Sequence, residues 1–181
     1  METTFTVAGA ALPLTTRSVS STDVDLAAFI VTVELGLVSA YASAGAKIPD
    51  PRDAALARTF AAQHRDHADV WAGVAGSKTV RRPNPRLLRA TLADVAGAAT
   101  PGGVYGVMQI LEDRVAATYQ HALERLLSDA HLELAASILP VECQHAVVLG
   151  ILAGKQLKEL IPVNFQTPED FIDPAVFPIT G

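Results

Sequence analysis

Cysteine is almost missing: Cys143 is the only one in 181 residues. That excludes an internal disulfide and fits a reducing compartment, so a cytoplasmic protein is expected. Positive charge is also lacking. The formal charge of −5 excludes the basic face that a nucleic-acid partner would need. Lys78, Arg81, Arg82, Arg86 and Arg89 are the only local basic residues of note, and they read as a solvated loop. The N-terminus, "METTFTVAGAALPLTTRSVSS", has Glu2 where a secretory leader would carry cations. Residues 1–22 therefore read as a flexible or packing arm, and export would require a leader already removed. No apolar run reaches the ~18–20 residues of a membrane span without polar interruption, so no membrane partner is expected.

What is abundant is small and aliphatic. Half of the chain is hydrophobic, dominated by Ala, Leu and Val, and only 6% is aromatic; this mixture suits closely packed helices in a single domain. Four segments carry helical periodicity. The first is predicted from about Asp23 to Ala44, with Ser21, Thr22 or Asp23 as the cap and a stripe of Leu26, Ile30, Val33, Leu37 and Tyr41. The second follows "KIPDPRD" and stops near Gly76, with Leu56, Phe60, His64, His67, Trp71 and Val74 on one face. The third follows "TPGG" and is predicted to end near Asp129, its stripe running Met108, Leu111, Val115, Tyr119, Ala122, Leu126. The fourth runs from near His131 to Gly154 or beyond, along Ala135, Ile138, Glu142, His145, Leu149 and Leu152, with a local bend at Pro140.

Helices one and two are joined by a short turn, as are three and four, so each pair should form an antiparallel hairpin. Residues 77–103 between them are long enough to travel the length of a bundle, and "NPRLLRATLADVA" within them suggests a short helix. The predicted fold is an all-α four-helix bundle over residues 23–160: two antiparallel hairpins joined by one long crossover. Residues 161–181, with four prolines, read as an extended packed tail.

Each apolar stripe is broken near its middle by ionisable groups: Glu34 on the first helix, His64 and His67 on the second, Glu112 on the third, Glu142 and His145 on the fourth. A carboxylate on a core face costs several kcal/mol unless paired or bound. The spacings repeat between the two halves. Glu34 to Tyr41 and Glu112 to Tyr119 both span 7 residues; Glu34 to His64 and Glu112 to Glu142 span 30; Glu34 to His67 and Glu112 to His145 span 33. Two hairpins related by such a register would bring all six ionisable residues to one level. They would form a two-metal site from one Glu on each of two helices and an i, i+3 pair on each of the others. Tyr41 and Tyr119 read as core phenols hydrogen-bonded to carboxylates, and Trp71 as packing. His121 reads as solvent-facing, His131 as a turn or capping residue, and Cys143 as a small packing residue.

These residues carry a resemblance. "VELGLVSAY", "LEDRVAATY" and above all "ILPVECQHAVVLGILAG" resemble the metal-bearing helices of ferritin-like proteins, nearest the branch that includes desiccation-related and actinobacterial members. The resemblance covers residues 23–155 and implies that Glu34, His67, Glu112, Glu142 and His145 are metal ligands. One position departs from the family: the second helix has His64-x-x-His67 where Glu-x-x-His is usual. In the family that Glu often bridges both metals. Imidazole cannot do so, because each ring nitrogen offers one lone pair in one direction. With three carboxylates and three histidines, two divalent ions leave one positive charge uncompensated, and a ferric pair more unless oxide, hydroxide or another anion bridges it. An asymmetric dimetal centre, a single-metal site and a relic that binds nothing all remain open.

The expected function is a ferritin-like metal-binding protein, and its cofactors are two divalent ions, iron first, with manganese or zinc as alternatives. Its chemistry would be metal oxidation or activation of O2 or peroxide. Metal ions are the expected partners, together with a second copy of the chain in a homodimer. The alternative is a metal-free bundle, structural, stress-related or interacting, in which the same residues form a buried network that fixes helix register. A monooxygenase would need a substrate channel, and no cage-interface signature for iron storage stands out. "GVAGSKT" at residues 73–79 lacks phosphate-loop spacing and follows a helix, so it is discarded.

Overall fold

A computed structural model describes residues 20–161 and 169–179. Most of the expected N-terminal arm, and tail residues 162–168 and 180–181, lie outside the described residues. Among the described residues six α-helices run in order: α1 (Ser21–Gly45), α2 (Pro51–Ala75), α3 (Pro85–Gly97), α4 (Pro101–Leu123), α5 (Asp129–Leu152) and the single turn α6 (Leu157–Leu160). There is no strand among the described residues. α1 packs along α2 and α4 along α5, giving the two expected hairpins. α1 also meets α4, and α2 meets α5, which closes the bundle. The crossover carries α3 against both α1 and α4.

Local chemistry sets these helix starts. α2, α3 and α4 each begin with Pro at the first helical position, preceded by a side-chain cap: Asp50 on Arg52 N–H, Asn84 on Leu87 N–H, Thr100 on Gly103 N–H. α2 ends at Gly76, whose φ of 55° suits glycine. Two expectations are corrected at the ends. Ser20, not one of the three residues after it, caps α1 through its hydroxyl. Asp23 is instead fully buried, and its carboxylate accepts from Leu127 N–H (3.0 Å) and Ser128 N–H (3.1 Å) and pairs with His131 Nδ1 at 2.7 Å. The second correction follows from the first. α4 stops at Leu123 rather than near Asp129, because the chain turns there to reach Asp23, and Leu126 plugs the core from the connection. α5 continues through Pro140, which sits on its exposed side.

Asn84 anchors both the crossover and the tail. Its N–H donates to Thr32 C=O at 2.8 Å and its side-chain amide to Phe177 C=O at 2.9 Å. Ile172 is fully buried, its N–H bonded to Thr118 Oγ1, and Phe177 lies under the guanidinium groups of Arg86 and Arg114. Residues 169–179 thus pack on the bundle without regular structure. By length and mean hydropathy α1 (1.7) and α5 (1.5) would qualify as membrane spans, which the reading of interrupted apolar runs had not foreseen. In the fold, α1 is the most buried helix of the core, and Glu34 on α1 and Glu142 and His145 on α5 face inward.

Candidate metal centre

The mid-helix ionisable residues meet. Helical periodicity places His64 on the buried face of α2 with Ala57, Phe60, Ala68, Trp71 and Ala75, and His67 at the edge of that face. Glu34, His64, Glu112 and Glu142 are completely buried, His145 almost so, and the His67 side chain keeps 13% exposure. All six expected site residues are brought together, in two overlapping groups: Glu34, His64, His67 and Glu142; and His64, Glu112, Glu142 and His145. Within each group one ligand atom per residue lies within 4.8 Å of the others. His64 and Glu142 belong to both.

In the first group, His64 Nδ1 is 2.8 Å from Glu34 Oε2, and His67 Nδ1 is 2.9 Å from Glu142 Oε1. In the second, His64 Nε2 is 3.0 Å from Glu112 Oε1, and His145 Nδ1 is 3.4 Å from Glu142 Oε2 and 3.6 Å from Glu112 Oε1. Yet His67 Nδ1, His145 Nδ1, Glu112 Oε2 and both oxygens of Glu142 are buried without a hydrogen-bond partner among the described residues. His67 Nδ1 and Glu142 Oε1 are close, but not in hydrogen-bond geometry. Buried polar atoms are otherwise almost always satisfied. Five such atoms on residues of the two groups, each able to offer a lone pair, fit cations.

The surrounding groups hold these donors in place. Tyr41 on α1 donates to Glu112 on α4, and Tyr119 on α4 donates to Glu34 on α1, so the two halves cross-brace each other. Both phenols are pushed well above their ordinary range by burial and by the adjacent carboxylates, and so remain neutral donors. Trp71 does more than pack: its indole N–H donates to Tyr119 Oη at 3.0 Å. His145 Nε2 is 2.8 Å from Gln63 Oε1; since that oxygen can only accept, Nε2 carries the proton in the neutral ring, which then presents the Nδ1 lone pair to the site. Phe60 stacks on the His145 ring at 4.0 Å. Gln63 was missed from sequence. It is a half-buried polar residue on the flank of the α2 stripe, and nothing in the spacing marks it.

Burial penalises charge throughout the cluster, and the neighbours decide which charges survive. Glu34 is raised by burial and by repulsion from Glu142. Burial would also raise Glu142, but the histidines around it, His64 first, outweigh this and lower it. Burial would lower His64, but Glu112 and Glu142 hold it well above the usual imidazole range. His145 is raised in the same way, burial being overcome mainly by Glu112 and Glu142. Without metal, these neighbours favour the charged form of His64, which lies between Glu34 and Glu112.

Residues outside the cluster differ from expectation in two places. His121 is half-buried and stacks on Phe171 in the tail at 4.0 Å, so it is not simply solvent-facing. Cys143 is exposed on α5, one residue past Glu142, where the helix turns it away from the core; it does not pack.

Compared with known families, residues 22–155 match the family model of the ferritin-like domain. No curated protein and no solved structure matches the chain.

Proposed function

Because the chain belongs to the ferritin-like domain family, we propose that it binds two divalent metal ions in the buried cluster, iron first, with manganese or zinc as alternatives. The observation that carries this reading is the set of five buried, partnerless donor atoms on His67, Glu112, Glu142 and His145. Glu34 and Glu112 would each supply a carboxylate to one ion. Glu142, with Oε1 toward His67 and Oε2 toward His145, would serve both. His67 and His145 would complete the two sides. Bound iron or manganese would supply redox chemistry: its own oxidation, or reduction of O2 or peroxide. The chain's residues do the rest. Tyr41 and Tyr119 orient the terminal carboxylates by donating to them, Gln63 fixes the His145 tautomer, and the apolar core excludes bulk water. His67, the one partly exposed member, marks the side from which ions would enter.

Purified protein should bind two ions per chain. Its melting temperature should rise on adding Fe(II), Mn(II) or Zn(II) and fall back with chelator; ligand at 100 times its Kd adds about 2.7 kcal/mol. Glu142→Ala and His145→Ala should lose metal while the bundle stays helical by circular dichroism. Metal content unchanged in both variants would sink the reading.

A second reading has its own support. His64 bridges Glu34 and Glu112 at 2.8 and 3.0 Å, so an imidazolium could stand in for metal in a purely structural network. That protein would show no thermal shift with any ion.

We also propose that two copies pair through the outer face of α5. From Leu134 to Gly154 its only ionisable residues other than Cys143 are the buried Glu142 and His145. Val147 and Ile151, one turn apart, are exposed at 39% and 51%. An uncharged apolar face is complementary to itself across a two-fold axis. Light scattering should give a dimer for the native chain and a monomer for Val147→Glu/Ile151→Glu; a native monomer would refute the pairing.

A further inference from the structure

His64 stands apart from the other two histidines. His67 and His145 each turn Nδ1 into the cluster, and His145 spends its second nitrogen on Gln63. His64 turns both nitrogens inward: Nδ1 faces Glu34 and the group containing His67, and Nε2 faces Glu112 and the group containing His145. The ring is held in that attitude. Tyr41 stacks on it at 5.5 Å and 23°, while the His67 and His145 rings stand edge-on to it, at 5.9 Å and 5.2 Å between centroids.

Building on the two-metal reading, we infer that His64 is itself a bridge of the centre, giving Nδ1 to one ion and Nε2 to the other. Imidazole cannot replace a bridging carboxylate edge for edge, because its two lone pairs diverge. Here, however, Glu34 lies on Nδ1 and Glu112 on Nε2, one carboxylate from each group, so divergent lone pairs match the arrangement; the shared Glu142 is 3.8 Å from Nδ1. Starting from the imidazolium, a ring that binds two ions must give up both N–H protons, one passing to solvent as each ion arrives; no electrons move.

Charge supports the same assignment. The usual set in this fold has four carboxylates and two histidines, which neutralise two divalent ions. Three carboxylates and three neutral histidines leave one positive charge in a site sealed from water, where uncompensated charge is costly. An imidazolate at His64 supplies the missing negative charge at the position where Glu usually stands. Glu142 occupies the equivalent place in the other hairpin, 30 residues after Glu112 as His64 is 30 after Glu34, and it too is shared by both groups.

The test uses the intact chain loaded with Co(II), with metal stoichiometry, X-ray absorption and magnetic susceptibility as readouts. The expected result is two ions per chain with no metal neighbour at the ~3.5–4 Å typical of two-metal sites, yet with measurable exchange coupling between them. In His64→Glu, which restores a Glu-x-x-His pair, the separation should contract into the ~3.5–4 Å range. In His64→Gln, which keeps the shared Glu142, the coupling should weaken to what a carboxylate alone carries, and coupling unchanged from the native chain would overturn the His64 bridge. If these variants do not fold, the native chain alone decides. Two ions at the short distance, or two distant ions without coupling, would overturn the His64 bridge and leave the dinuclear reading standing. One ion or none would overturn both.

Discussion

The six cluster residues are not equally demanding of their neighbours. A carboxylate buried in this core needs compensation, and Tyr41 and Tyr119 supply only one hydrogen bond each to Glu112 and Glu34. Glu142 has no phenol at all and is compensated by the histidines around it, His64 first. His145 depends on Gln63 to keep its lone pair on the inner nitrogen. Gln63→Leu should therefore leave the fold intact but free the ring to adopt the other tautomer. Metal affinity should drop about 10–100-fold, read by competition with a chromophoric chelator; equal affinity for native and variant would show that the tautomer needs no such support. The six ionisable residues were legible in sequence because each violates an apolar stripe and the violations repeat with the same spacing in both halves. Gln63 was not, because a polar residue at the edge of a stripe violates nothing. The inward orientation of both His64 nitrogens also lay beyond the sequence, since ring rotation is set by Tyr41 and by the other hairpin's Glu112, not by residues on α2.

At the scale of elements, the hairpins are joined by side chains that reach across chain segments. Asp23, in the first turn of α1, holds the α4–α5 connection through two N–H groups and His131. Burial would raise its pKa, but the His131 bond and the two backbone donors prevail and hold it below the ordinary 3.8. A carboxylate depressed on folding contributes stability that is present above its unfolded pKa and lost as pH falls through its folded one. Asp23→Asn should thus cost about 1–3 kcal/mol near neutral pH, as expected for hydrogen bonds to a buried charged group. The gap between native and variant should narrow below pH ~3.8; denaturant titrations at pH 7 and pH 3 measure it, and a gap that widens in acid would refute the assignment. Here the sequence misled for a physical reason. An acidic residue in the first turn is also a good cap, and periodicity continues from Ala122 to Leu126 although the helix stops. Only the position of the distant α4–α5 connection reveals that Asp23 is a clamp and Leu126 a plug.

For the molecule as a whole, the cluster sets how stability responds to pH. In the metal-free bundle His64 is held well above its unfolded value, after Glu112 and Glu142 overcome the effect of burial. Its contribution is therefore complete below the unfolded pKa of about 6.5 and is lost as pH rises toward the folded value. Glu142, depressed on folding by the histidines despite burial, contributes above about 4.5 and loses that contribution in acid. The metal-free protein should be most stable between these limits and weaken on the alkaline side. On the two-metal proposal, divalent ions should reverse the alkaline trend, since deprotonated ligands bind them more tightly and the ions would replace the proton as the counter-charge to the carboxylates. The melting-temperature difference between Co(II)-loaded and chelator-treated protein should accordingly grow from pH 6.5 to pH 9. Scanning calorimetry across that range separates the two readings of the cluster. Diverging curves require ions and protons to compete for the same buried carboxylates and imidazoles, whereas superimposable curves would mean that the imidazolium network is complete without metal.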